Sequence, residues 1–583
     1  MTGKRNGYLV SKALRTFMWA SILAALAQQL TTTTDAIVVS HLIGPDAISA
    51  VNVVMPLMTL FSCIGILFGM GGSVLAAKAI GRRDMEETNH VFTTVTIIMF
   101  AFGLTLSVVG SWLTPDITKL VCPVSSRIYS LAVSYLQPMM VGAVFSLINF
   151  TLQTFVKTDG APRLVMRAVM LSTVLNLILD ILFIKVFGMG IDGSAWASVL
   201  CYVASVFVCL LHFRNPTCSF RWKMQIRGIG KIALRSAAEG FPMSINTLLL
   251  GVCIYGFNSI VLHYLGADGM YVWSVCLQLF IIQQMVMGGI GSSVYSIGGL
   301  LVGEQDMLGL TILIRRVTTY ICGIMLVVTL FVILLPNAFG IVFGSSGIDV
   351  GDLLRQALRI FSLMLIPYAI VAILRSLYQM IGYRGMSVVL SVAQLVVMVF
   401  FVWAFALFKS EMLWWGFPVS AIILLLFVFL MTLQKHRRQP QIALMTLIPQ
   451  TTEGEALNFS IRLTNNDVNL SLKDIIAFLK ECRVDDTTAY NVRLCCDELL
   501  SNILNYAVKK HPEKHFVDIH IRNSKSQVSV LLKDDGSPFN PILKKTPAGF
   551  EHIGLRLVNG SNSTMNYKYM YDQNMVFMTF KRK

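Results

Sequence analysis

Apolar runs long enough to cross a bilayer recur along the chain and stop near residue 435. A helix needs about 20 such residues to span the hydrocarbon core. Runs of that size lie near 15–38, 46–77, 91–113, 129–156, 162–186 and 190–212, and again near 236–263, 268–300, 316–335, 353–381, 386–408 and 412–433. The pattern predicts about twelve membrane helices. Some runs are long enough to need tilt or a kink, with Gly69-Met-Gly-Gly72 as a soft point. After residue 439 the pattern shortens and alternates, as in Val517-Asp-Ile-His-Ile521 and Val528-Ser-Val-Leu-Leu532. A strand is predicted at 457–463, helices at 467–480 and 486–509, and strands at 516–522 and 527–532, followed by a loop, a short helix and two more strands. Such an order makes an α/β sandwich.

The two sets of apolar runs repeat one another. Ile37-Val-Val-Ser-His-Leu-Ile-Gly-Pro-Asp46 parallels Ile260-Val-Leu-His-Tyr-Leu-Gly-Ala-Asp268, and Gly81-Arg-Arg-Asp-Met85 parallels Gly303-Glu-Gln-Asp-Met307. The expected chain is a polytopic all-α membrane protein of two six-helix lobes in parallel repeat, 1–212 and 236–435, joined by a loop at 213–235. A linker at 436–455 leads to the sandwich at 456–583. Paired lobes of this kind place a substrate site near the bilayer midplane between them.

Composition agrees with this division. Of 583 residues 55% are hydrophobic and only 13% charged, where a soluble chain carries about a quarter. The net charge of +16 would suit nucleic acid, but the basic residues gather in alternate loops, so no nucleic-acid partner is expected. Lys4, Arg5, Lys12 and Arg15 precede the first run; Lys78, Arg82 and Arg83 follow the second; Arg214, Arg221, Lys223, Arg227 and Lys231 lie between the lobes. The odd loops hold Lys119, Arg127, Lys185 and Lys409. With an even number of spans, this bias puts both termini in the cytoplasm. The basic start before an apolar run superficially matches a signal peptide, but cleavage is not expected, because further spans follow. The 11 cysteines show no zinc-ligand spacing, and Cys495 and Cys496 read as core.

Two acids stand inside apolar runs. Asn176 and Asp180, four residues apart, share one helix face. Gln28, Thr32 and Asp35 form a polar stripe on the first helix. A carboxylate at membrane depth costs several kcal/mol unless it is protonated, paired or bound to a cation. These residues therefore read either as a shared proton or cation site or as polar glue between helices. Gln278, Gln283 and Gln284 divide in the same way between substrate contact and helix packing.

At these residues the chain resembles the multidrug and toxic compound extrusion (MATE) transporters. The likeness rests on Asp35 before His41-Leu-Ile-Gly44, on Asn176-x-x-x-Asp180, and on Phe187-Gly-Met-Gly-Ile-Asp-Gly193 followed by Ala195-Trp-Ala-Ser198. Gly81-Arg-Arg-Asp84 and Lys157-Thr-Asp-Gly-Ala-Pro-Arg163 add to it, and it covers about 10–435. The resemblance implies a sodium or proton site at Asp35, Asn176, Asp180 and Ser198, with Gln28, Thr32 and Gln283 as weaker substrate contacts. It also implies a small cationic or amphipathic substrate and a multi-pass place in the lipid of a bacterial cytoplasmic membrane. One departure is that Thr247-Leu-Leu-Leu-Gly-Val-Cys253 carries no acid, where some relatives do.

Three motifs mark the tail. Glu498 and Asn502 share one helix face, which can aim a base and a magnesium ligand at one phosphate chain. Asp534 leaves a strand at Asp534-Asp-Gly-Ser-Pro-Phe-Asn-Pro541, where it can accept from an adenine amino group and Gly536 permits close approach. Gly554-Leu-Arg-Leu-Val558 opens a helix whose first amides suit phosphate. In this order they resemble the GHKL ATP-binding fold, nearest the anti-sigma-factor serine kinase branch. That implies ATP and Mg²⁺, Glu498 as catalytic base, and an anti-anti-sigma-type protein partner. His552 and Ile553 stand where relatives often have a second glycine, so binding without turnover is one expectation. The expected function is ion-coupled efflux with a fused regulatory ATP-binding domain. The alternative is a membrane sensor whose tail is a serine/threonine protein kinase. A lipid or cell-wall-precursor flippase would instead want a basic cavity.

Overall fold

The computed structural model describes residues 5–223, 228–336, 348–450, 455–504, 514–538, 540–541 and 563–582. Two compact units divide the chain: Phe17–Asp306 with Ile314–Ile448, and Met1–Thr16 with Met307–Leu313 and Pro449–Lys583.

Among the described residues, ten helices are long and apolar enough to cross a membrane, or 11 with one bent pair. The bent pair is Tyr129–Val141 with Ala143–Thr158, which meet at 55° where a single straight span was predicted. Pro138, inside the first of these helices, withdraws a backbone donor, and Gly142 absorbs the break. The run Ile229–Gly303, 75 residues long, contains two of the predicted spans. Gly266, at φ 63° and ψ −152°, divides it in a conformation that side chains resist. Counting the bent pair as one span and the long run as two recovers the twelve expected segments.

Backbone geometry confirms the internal repeat. Gly44, Arg83 and Gly160 have positive φ, and so do Gly266, Gln305 and Gly382. Each pair is separated by the same number of residues, so the halves run in register without insertion. At Arg83 and Gln305 the helix ends alike: Asp84 N donates to Ala79 O at 3.0 Å, and Asp306 N donates to Leu301 O at 2.9 Å. These are six-to-one closures around a left-handed residue. The halves touch through glycines. A Cβ at Gly81 would fall 2.2 Å from Leu300 O, and one at its repeat partner Gly303 would fall 2.2 Å from Lys78 O.

The expected linker is partly structured. Helix Gly416–Arg438 runs past residue 436, and Ile442 and Leu447 are buried with Leu374, Tyr378, Leu390 and Val428. Tyr378 donates to Met445 O.

The second unit holds a five-stranded antiparallel sheet: β1 (Glu455–Arg462), β2 (Phe516–Asn523), β3 (Gln527–Asp534), β4 (Ser563–Met570) and β5 (Gln573–Lys581), in the order β1-β2-β3-β5-β4. Helices Asn465–Glu481 and Asp486–Asn502 are each opened by a side-chain cap, Thr464 and Asp485. Their apolar faces, with Ile475, Leu479, Val492 and Cys496, share a core with Ile519, Ile521, Val530 and Leu532 of the sheet. Cys495 is buried beside Cys496 in the same core, and both are free thiols. The α/β sandwich read from the tail is present.

Candidate functional site

Asn176 and Asp180, one turn apart on the Pro162–Ile181 helix, are fully buried. Asn176 Nδ2 lies 3.5 Å from Ser198 Oγ on the neighbouring Ile191–His212 helix. Half-buried Asp35, from the first helix, lies within electrostatic reach of Asp180, and Tyr135, Tyr202 and Cys201 share that field. Both carboxylate oxygens of Asp180, Asp35 Oδ1 and Asn176 Oδ1 are buried without a hydrogen-bond partner. Unpartnered oxygens in a low-dielectric interior are costly. A proton shared between the acids, or a hard cation ligated by these oxygens, would satisfy them. The structure thus brings Asp35, Asn176, Asp180 and Ser198 together.

The weaker candidates are placed differently. Gln28 and Thr32 are exposed, and Thr32 Oγ1 donates to Gln29 O within its own helix at 2.8 Å. Thr31, beside it, is the residue that reaches the neighbouring helix, with its Oγ1 2.7 Å from Thr173 Oγ1. Gln283 is buried; its Nε2 donates to Leu365 O at 2.8 Å, while Oε1 has no partner. Positions in the second half that repeat Asp35, Asn176 and Asp180 hold Phe257, Met398 and Val402, all buried in apolar core. The acidic cluster has no counterpart there.

Sequence reasoning missed a charge cluster in this unit, made of buried Glu239, buried Lys78, which was counted only as a loop charge, and half-exposed Arg384. Lys78 Nζ and Arg384 Nη2 donate to the same oxygen, Glu239 Oε1, at 2.8 and 2.6 Å. Each was visible as a charge within or at the end of an apolar run. The partners are far apart in sequence, so no local period reveals them.

In the tail, Asn502 Nδ2 donates to Glu498 Oε1 at 3.1 Å, one turn away. Asp534, at the end of β3, is buried; its Oδ1 accepts from Gly536 N at 2.9 Å and from Asn574 Nδ2 at 2.8 Å. Burial pushes its carboxyl up to about 6, against those two hydrogen bonds, which lower it. The adjacent Asp535 is occupied otherwise: His515 Nδ1 lies 3.0 Å from its Oδ1, and Lys12 Nζ donates to its Oδ2 at 2.7 Å. Of the two neighbouring acids, Asp534 keeps an oxygen, Oδ2, without a described partner. Asn502 is buried at the end of its helix, and Asp534 and Gly536 share one hydrogen-bonded turn after β3. Gly554, expected at the phosphate, lies outside the described residues.

Comparison with known proteins follows the same division. Residues 20–182 match the MatE family, and residues 462–580 match the histidine kinase-like ATPase domain. Two separate stretches of the chain are thus similar to known domain families, the membrane part to MatE and the tail to the histidine kinase-like ATPase domain. A domain of the second kind implies ATP binding. Among similar proteins is the probable multidrug resistance protein YoeA of Bacillus subtilis, 26% identical over 342 residues, covering 57% of this chain and 73% of that one. Multidrug export protein MepA of Staphylococcus saprophyticus is 24% identical over 244 residues, covering 42% of this chain and 54% of that one. MepA of Staphylococcus aureus is 22% identical over 282 residues, covering 48% and 62%. The chain thus spans between about half and three-quarters of the length of these relatives. A solved outward-facing multidrug resistance MATE family transporter of the MOP superfamily superposes with a TM-score of 0.67 at 22% identity, covering 75% of this chain and 99% of that one. MATE in its straight conformation gives 0.67 at 23%, with the same coverage. The membrane part therefore has the MATE fold, and the chain is a multi-pass membrane protein.

Proposed function

We propose that this MATE-fold chain exports small amphipathic organic compounds in exchange for sodium ions or protons, and that its ATP-binding tail regulates export. The observation that carries the reading is the set of buried, unpartnered oxygens at Asp35, Asn176 and Asp180. A proton or cation bound there in one conformation and released in another couples its gradient to movement of the substrate. With no acid at the equivalent places in the second half, coupling runs through the first half alone. Acids in the first half suit a substrate with a cationic group. The loop charges favour a bacterial cytoplasmic membrane with both termini inside, where ATP is available. In the tail, Asn502 would hold Mg²⁺, Asp534 would read adenine, Gly536 would admit the base, and Gly554 would face the phosphates.

A second reading is a sensor whose tail phosphorylates a serine on an anti-anti-sigma-type protein partner. The contact between Glu498 and Asn502 favours it, because a base beside a magnesium ligand is what phosphotransfer requires. Counterflow of a cationic dye in proteoliposomes, under imposed sodium or proton gradients with and without ATP, separates the two. Export predicts dye movement driven by one gradient without nucleotide. Dye that stays put under every gradient would leave the sensor.

A further inference from the structure

The second half of the membrane unit holds a guanidinium that pairs with no carboxylate among the described residues. Arg375 lies in the Leu365–Met380 helix, within a segment long and apolar enough to span the membrane. Its described hydrogen-bond acceptors are both neutral: Nη1 donates to Asn246 Oδ1 and, at 3.1 Å, to Gln394 Oε1. Among the described residues, Nε and Nη2 donate to none, and no carboxylate pairs with the side chain. Glu239, an acid of the same half, already takes Lys78 and Arg384. An arginine cannot escape by losing its proton. A fixed charge within an apolar segment is best matched by an anion.

The surroundings are built to position one. Gln394 Nε2 reaches Tyr368 O at 3.4 Å, and Tyr368 accepts at its hydroxyl from Gln284 Nε2 at 2.8 Å. Helices 229–293, 365–380 and 384–408 thus contribute a single polar network. Asn246, Gln284 and Arg375 are half-buried rather than sealed, so a ligand can reach them. The repeat sharpens the point. At the position equivalent to Arg375 the first half has Gln153, whose Nε2 donates to Asn149 Oδ1 at 3.0 Å and Ser205 Oγ at 3.2 Å. Where the first half carries acids, the second carries Phe257, Met398 and Val402. At these repeat-related positions the first half carries two acids and two neutral amides, and the second carries apolar side chains and a guanidinium.

We propose that Arg375, with Asn246, Gln394, Tyr368 and Gln284, forms a binding site for the carboxylate of the transported compound. The free edge of the guanidinium, Nε and Nη2, offers two parallel donors that match a carboxylate's two oxygens. Tyr368 and Gln284 supply neutral polar contacts beside it. The substrate class this selects is a zwitterionic amphipath, one that carries a carboxylate as well as the cationic group the first-half acids suit. This assignment rests on the export function proposed above and narrows it.

A matched pair of dyes tests it: rhodamine 19, which has a free carboxylate, and its ethyl ester, rhodamine 6G, which does not. Binding is followed by fluorescence polarisation with the full-length protein in detergent. The wild type is expected to hold the free acid roughly tenfold more tightly, the size of one charge-assisted bidentate contact. Arg375→Gln should remove that preference and leave ester binding unchanged, while Arg375→Lys should keep part of it. An unchanged melting midpoint shows that the variants fold. If Arg375→Gln does not fold, the wild-type preference and its reduction in Asn246→Ala carry the test. Equal affinity of the wild type for acid and ester, binding of neither, or equal weakening of both by Arg375→Gln would overturn the site. The export reading fails separately, if no gradient moves either dye although the binding preference stands.

Discussion

Lys78 Nζ donates to Glu239 Oε1 at 2.8 Å, and this contact joins the second helix of one half to the first helix of the other. The side chains are 11% and 1% exposed, and Arg384 shares the same carboxylate oxygen. Here the backbones of the halves also come closest: a Cβ at Gly240 would fall 2.1 Å from Leu67 O. Removing one member of a buried pair leaves the other uncompensated, at a cost of about 3–5 kcal/mol. Glu239→Gln is therefore expected to lower the melting midpoint of the full-length protein by several degrees. Lys78→Met should do the same, and the double variant should lose less than the two single losses combined. Strictly additive losses would show that the pair does not hold the halves together.

Asp180→Asn is expected to abolish gradient-driven efflux while the protein still inserts and folds. The change is nearly isosteric and removes only the charge, so expression should stay normal. A structural role would show instead as poor expression or early unfolding. Normal efflux by a well-expressed Asp180→Asn variant would remove the acid from the coupling scheme.

The architecture was legible wherever its cause is local. Strand alternation placed β1 to β3 within two residues of their ends, because the faces of a half-buried sheet impose a period of two. Apolar length marked the spans, and the paired motifs announced the repeat that Gly44 and Gly266 share in their backbone angles. Asn176 and Asp180 stood out because charge and amide are rare inside a span. Glu239, Arg384 and Arg375 were equally charged but went unread, and Lys78 was counted only as a topology charge. Their meaning depends on which distant helix faces them, and neither hydropathy nor spacing carries that information. Lys12 was counted only as a topology signal, although it also pairs with Asp535 in the tail's own unit.

Protonation of Asp534 would give the proposed nucleotide site a pH dependence. Its carboxyl is pushed up to about 6 by burial, against about 4 in an unfolded chain. Between those values the folded protein holds a proton that the unfolded chain has lost. This group's contribution to stability therefore declines as pH rises through that window and is level above it. Nucleotide binding runs the other way, since an ionised carboxylate is the better acceptor for an adenine amino group. ATP affinity of the full-length protein is expected to rise between pH 5 and pH 7, about the stated pKa, and Asp534→Asn should flatten the profile. An unaltered profile in that variant would assign the titration to another group.

ATP is expected to regulate this protein rather than to power it. On the proposed coupling through Asp35 and Asp180, transport would have a free-energy source without nucleotide. The chain carries no G-x-x-x-x-G-K-S/T sequence, the phosphate cradle of many transport ATPases. What the tail offers is a buried acceptor at Asp534 and the Glu498–Asn502 pair. Asn502→Ala should lose Mg-ATP binding, and Glu498→Gln should keep binding but lose any phosphotransfer. Both belong in the full-length protein, because residues 5–12 supply tail contacts that an excised domain would lack, including Arg5 Nη2 to Asp518 Oδ2 at 3.5 Å. If the tail gates transport, ATP must bind two conformations unequally. Asn502→Ala would then change the efflux rate or its response to ATP, while gradient-driven efflux persists. Identical efflux with and without ATP would instead point to a separate protein as the tail's target. Efflux that stops whenever ATP is withdrawn, despite an imposed ion gradient, would make the tail a motor and refute regulation.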